Sequence, residues 1–313
     1  MGRNKLKIIY YHTISDSFLE YFPKETTQSI DTFKRQIHYL NKRYNIISLE
    51  EAIFKFENKE NFNNNLVITT DDGFKENYTI ISPILNDFNL KFTALLCNNF
   101  IDNKSLMWRN VLFYIKNKVS KEEINKVIEQ SYSTYELSLP KKEEDIMQWS
   151  LRTWPYKLKD ELASFFWESL FEESIEDFLN EKKPYLTSSQ VNEMLNSGFT
   201  IGSHSRSHPY FKDMTNNEIR FETIEAANQL EEKFNTKISS FSFPFERPKG
   251  TLDLNNTEKI LKSRFKTILG IQDKGLNHKN TSDHWERISM EFNYYFSILN
   301  FHLIPVKEKI YKF

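Results

Sequence analysis

The chain has 313 residues, enough to bury one sizeable core, or one core with a large insertion. Its 42 Lys and Arg nearly cancel 43 Asp and Glu, so the basic excess typical of a nucleic-acid binder is missing and no nucleic-acid partner is expected. A lone cysteine, Cys97, excludes a disulfide framework, and no apolar run reaches the ~18 residues needed to span a bilayer.

The first seven residues are basic, but only Ile8-Ile9-Tyr10-Tyr11 follows them. That run is too short for the apolar part of a secretory leader and has no small-residue cleavage site, so a cytoplasmic protein is expected. Short apolar runs predict strands at 7–11, 66–70, 92–97, 199–202, 239–243, 265–269 and 287–290. Helix starts lie between them. Ser48-Leu-Glu-Glu51, Thr187-Ser-Ser-Gln190 and Thr215-Asn-Asn-Glu218 each match a capping box. The helix after Thr215 carries an imperfect apolar stripe of Ile219, Ile224, Ala227, Leu230 and Phe234. Alternating strands and helices imply an α/β fold with a parallel sheet, open or closed into a barrel. Chemistry in such folds gathers at the carboxyl ends of the strands.

Residues 103–184 break this alternation. They hold four of the five tryptophans, Trp108, Trp149, Trp154 and Trp167, and no clear strand. Stretches 121–129 and 157–171 read as amphipathic helices, so the segment is expected to be a helical insertion packed on the sheet, with control over substrate choice.

Two motifs carry chemistry. Leu66-Val-Ile-Thr-Thr-Asp71-Asp72-Gly73 ends a buried strand in adjacent carboxylates, which point in different directions. One can bind a metal while the other stays free as a base. His204-Ser-Arg-Ser-His208-Pro209 adds two imidazoles, at a spacing that suits either a helical turn or a compact loop. Two imidazoles and a carboxylate suit Zn²⁺ and leave a coordination position for water, the apparatus of a metal-assisted hydrolase. Asp-Gly is also ordinary turn chemistry, and each motif alone is weak.

Ile68-Thr-Thr-Asp-Asp-Gly73, Gly202-Ser-His-Ser-Arg-Ser-His-Pro209 and Ser242-Phe-Pro-Phe245 resemble the first three motifs of polysaccharide deacetylases, the NodB-homology carbohydrate esterases. Residues 186–201 and Ile9-Tyr-Tyr-His12 share the likeness, the latter with the permuted branch of poly-N-acetylglucosamine deacetylases. The resemblance implies a distorted (β/α)7 barrel: one domain over 1–313 with the helical insertion at 103–184. It implies Asp71 as base and Asp72, His204 and His208 as metal ligands, for Zn²⁺ with Co²⁺ and Ni²⁺ as alternatives. His12 is expected as the general acid in place of His302, and Arg287 as the residue that orients Asp71. Phe245, Glu246 and Trp108 are expected at the substrate. Glu246 departs from the family pattern, where glycine often stands, while Trp108-Arg109 echoes family sequences. The implied activity is removal of an N-acetyl group from an N-acetylated sugar or oligosaccharide. A deformylase or O-deacetylase with the same centre, or a non-catalytic carbohydrate-binding protein, are the alternatives.

Overall fold

The computed structural model describes residues 6–245, 254–270 and 284–291. Every residue of the strand Asn65–Thr70 is buried, as befits a strand covered on both faces in the middle of a parallel sheet. Nine strands are described: β1 Lys7–Tyr11, β2 Asn45–Ile46, β3 Asn65–Thr70, β4 Thr93–Leu96, β5 Thr200–Ser203, β6 Ser240–Ser242, β7 Thr267–Gly270, β8 His284–Glu286 and β9 Ile288–Ser289. They run in the order β8-β7-β6-β5-β4-β3-β1-β9, every pairing parallel, with β2 added beside β3.

The two ends of that order are one stretch of chain. β8 pairs with β7 and β9 pairs with β1, and only Arg287 lies between β8 and β9. The sheet therefore comes round into a barrel of seven positions, closed by residues 284–289. Gly202 on β5 shows how tight the wall is. A Cβ there would run into the Ser240 hydroxyl and the Leu95 side chain on the flanking strands.

Helices α1 Ile30–Asn41, α2 Leu49–Glu57 and α3 Ser82–Asp87 link the early strands. Between β4 and β5 stand α4 Trp108–Lys118, α5 Lys121–Tyr135, α6 Ile146–Thr153, α7 Lys159–Leu170, α8 Ile175–Lys182 and α9 Ser188–Asn196, and then α10 Asn216–Arg220, α11 Ala226–Phe234 and α12 Leu254–Lys262 follow β5 and β6. Helices α4 to α8 build a second hydrophobic core around Trp149, Leu162, Phe166, Trp167 and Phe178, separate from the barrel core. Among the described residues no helix is long and apolar enough to cross a membrane.

Capping boxes form at Thr187 and Thr215, while Ser48 accepts from the Glu51 amide without the reciprocal bond. A fourth box, Ser120 with Glu123, starts α5. The imperfect stripe after Thr215 has a structural cause. Residues Phe221–Glu225 form a π-helical turn between α10 and α11, and the extra residue rotates the register. Glu222 and Thr223 turn inward and are buried, while Ile224 is only partly covered. β3 starts at Asn65, one residue before the predicted strand; it is buried and its side-chain amide donates to the Asn45 carbonyl.

Candidate metal centre

β3 delivers Asp71 and Asp72 at its carboxyl end, and the chain then turns sharply. Asp72 has φ +70° and Gly73 φ +77°. This region is open to glycine and comparatively accessible to Asp, so the residue types match the turn. β5, separated from β3 by β4, delivers His204 at its own carboxyl end. Its second histidine arrives through a compact loop in which Ser205 and His208 also take positive φ, 76° and 54°. The helical-turn option for the pair is thus not used.

This turn brings the three donors together. Asp72 Oδ1 lies 3.3 Å from His204 Nε2 and 3.2 Å from His208 Nε2. One ligand atom from each of Asp72, His204 and His208 fits within 4.8 Å of the others, and all three residues are buried. His204 Nδ1 lies 3.0 Å from the Ser242 carbonyl, which orients the ring with Nε2 inward. Asp72 Oδ1 and His204 Nε2 are buried without a hydrogen-bond partner. Polar atoms orphaned face to face are costly unless a cation fills the gap, so the donor set fits a metal. Burial, helped by the neighbouring His204 and Arg109, outweighs Asp72 and lowers the His208 imidazole to about 4. It is neutral at pH 7, the form that ligates. Burial works against the Asp72 carboxylate, yet His208 and His204 hold it well below the usual carboxylate range.

Asp71 is treated differently. Its two oxygens are gripped by Arg287, Nη1 to Oδ1 at 2.6 Å and Nη2 to Oδ2 at 2.8 Å. Arg287 is fully buried, and its remaining donors reach Thr69 Oγ1 on β3, Ser242 Oγ at the end of β6 and the Gly270 carbonyl on β7. A surface ion pair is thereby excluded. One guanidinium spans the barrel interior and satisfies its charge there. Burial alone would raise the Asp71 carboxyl, but Arg287, then His204, lower it.

His12, just past β1, pairs through Nδ1 with Glu291 at 2.7 Å. Burial lowers its imidazole, but Glu291, helped by the more distant Asp72 and Asp71, lifts it to about 10. Trp108 is 2% exposed, and its indole N–H donates to the His208 carbonyl at 2.9 Å. It thus props the histidine loop and gives one face to a cavity beside it. Phe245 packs against the His208 ring at 4.9 Å. Glu246 and His302 lie outside the described residues.

Two acidic residues at the site carried no signal in the sequence. Glu291 follows the last predicted strand directly. Glu222 reaches the site through the π turn: its carboxylate accepts from the amides of Arg206 and Ser207, the Ser207 hydroxyl and the Tyr156 hydroxyl, at 3.1, 2.9, 2.6 and 2.9 Å. It fixes the loop that carries both histidines. Two glutamines or glutamates on a helical stripe look alike on paper, and only the extra residue of the π turn distinguishes this one.

The polysaccharide deacetylase family profile matches residues 161–261. Over that third of its length the chain is similar to the polysaccharide deacetylases. The matched stretch holds His204, His208 and Ser242, whereas Asp71 and Asp72 lie far upstream and join them through the sheet. No curated protein sequence matches the chain. Solved deacetylase structures share its fold. A de-N-acetylase from Aggregatibacter actinomycetemcomitans is 16% identical, with TM-score 0.58 over 95% of this chain and 99% of that one. Deacetylase PplD from Streptococcus pyogenes, solved with acetate, is 15% identical, with TM-score 0.57 over 91% and 92%. IcaB from Ammonifex degensii is 14% identical, with TM-score 0.56 over 91% of both chains.

Proposed function

We propose that this protein is a polysaccharide deacetylase, a metal-dependent hydrolase that removes N-acetyl groups from an N-acetylated sugar or glycan, the helices of 103–184 being an insertion in its single domain. The observation that carries the reading is the division of the two adjacent carboxylates: Asp72 faces the histidines, Asp71 is clamped by Arg287.

Asp72, His204 and His208 would hold the cation, and their mixed nitrogen and oxygen donors favour Zn²⁺. Bound there, it supplies Lewis acidity toward an acyl oxygen and lowers the pKa of a water. Asp71 is ionised at neutral pH, and the bidentate clamp leaves it no freedom to rotate. Its remaining lone pairs accept the proton of the attacking water, as a general base does. His12, protonated through its pairing with Glu291, donates a proton to the departing amine, which is too basic to leave as an anion. Phe245 and Trp108 complete the substrate side in this reading.

The test is elemental analysis of purified protein, then a panel of N-acetyl, N-formyl and O-acetyl sugars with and without chelator. One bound divalent ion and chelator-sensitive acetate release from the N-acetyl sugar are expected. Equal turnover in metal-stripped protein would sink the mechanism, and preference for the formyl or O-acetyl sugar would reassign the acyl group.

A further inference from the structure

Arg109, the second residue of α4, places a guanidinium on the rim of the metal centre. Its carbon lies 4.9 Å from the centroid of the Phe245 ring, 5.2 Å from Phe113 and 5.9 Å from Trp108. Phe245 in turn packs on His208, so a single ring separates this cation from a metal ligand. Aromatic faces hold a guanidinium in place but accept little from its five N–H donors. Among the described residues no carboxylate or carbonyl accepts from them. Arg109 is only partly covered, so its donors stay open to a ligand. Burial takes part of its hydration away and lowers it to about 10, still a full charge at pH 7.

The cavity next to it has an aromatic and polar lining of the kind that suits a sugar, and its cations have acidic partners. It measures about 370 Å³, lies between the α6–α7 junction and residues 210–218, and shares Trp108 with the Arg109 stack. Trp154 and Tyr156 give it aromatic walls, and the Trp154 indole N–H is buried without an acceptor. Each of its four cations has an acidic partner: Arg152 with Glu144, Lys157 with Glu218, Lys159 with Asp160 and Lys212 with Asp213. Charge recognition at this end of the site therefore falls to Arg109.

We infer that the substrate is an anionic glycan, and that Arg109 binds a phosphate or carboxylate on the N-acetylated sugar or on its neighbour. This rests on the deacetylase reading above. A planar guanidinium with free donors takes either oxyanion in bidentate fashion.

Two measurements test it. In the first, kcat/KM is measured for N-acetylglucosamine 1-phosphate, N-acetylmuramic acid and the uncharged methyl glycoside of N-acetylglucosamine. Wild type should prefer at least one anionic sugar by tenfold or more, the two arms separating phosphate from carboxylate. In R109Q the ratio should fall to about one, with R109K between. A wild-type ratio near one, or an unchanged ratio in R109Q, overturns the inference. So does R109Q lowering every substrate equally along with its Tm, which would make Arg109 a packing residue. The second measurement is calorimetric binding of the same three sugars to metal-free protein. It needs no turnover, so it decides the inference even if no sugar is deacetylated and the proposed reaction falls. Tighter binding of an anionic sugar, lost in R109Q, supports the inference; equal binding of all three refutes it.

Discussion

The carboxyl end of the barrel and the helical segment α4–α8 are both buried, but they are built from different materials. The barrel end encloses charge: Arg287 and Asp71 are buried and fully paired, and Glu222 is buried with four donors around it. The helical segment encloses rings, with Trp167 at 4.9 Å from Tyr114 and 5.2 Å from Phe178. Buried charge tolerates almost no displacement, because an unpaired ion inside a protein is costly. Aromatic packing is non-directional by comparison and accepts volume-conserving change. Under the proposed function the chemistry is thus held by the unforgiving region and the shape of the substrate side by the permissive one.

The sharpest probe of this division is Asp71, the proposed base. Asp71→Asn should cut kcat by about 10²–10⁴-fold while metal content stays at the wild-type level. Loss of the metal along with activity would mean the two carboxylates do not have separate tasks. Arg287→Met should leave Asp71 enclosed without a countercharge and cost about 3–5 kcal/mol in denaturant unfolding. A change near zero would show that water reaches Asp71. In the helical core, Leu162→Ala should cost about 2–5 kcal/mol through its cavity, with metal affinity unchanged. If that variant lost metal as readily as His204→Ala, the two regions would not be separable. Glu222→Gln should keep the fold and weaken metal binding by about 10–100-fold, since the histidine loop loses its anionic anchor. Metal titration at wild-type strength would reduce Glu222 to a helix-packing role.

The mildest effect is on pH. His12 has a folded value raised to about 10 from an ordinary 6.5, so its pair with Glu291 stabilises the fold fully below about 6.5. That contribution is lost as pH rises from there through 10. NMR titration of metal-free protein should show the His12 ring charged at pH 8, and Glu291→Gln should bring its midpoint down. A wild-type ring that is neutral at pH 8 would remove the ion pair from the account.

Much of the frame was legible because burial on both faces leaves an unmistakable mark. Apolar runs such as 66–70 announce parallel strands, and their ends announce where side chains meet. The donors Asp72, His204 and His208 were visible as ligand types at strand ends. Less visible were partners that depend on register or on distance through space. Glu222 faces the site only because a π turn shifts the helix by one residue. Arg287 was expected beside Asp71 only through the family likeness, since nothing local reveals that β8 and β9 pair on opposite sides of the closure.

That closure also sets an order of assembly. The clamp on Asp71 bridges 216 residues, and the residue that makes it sits at the joint of the segment that seals the barrel. A chain synthesised from its N-terminus has both carboxylates and both histidines long before it has residue 287. The donors for a cation can gather in such a chain, but Asp71 has no countercharge until the last strands dock. Sealing the barrel and giving Asp71 its countercharge are a single event, so under the proposed function a half-made molecule would bind metal before it could catalyse.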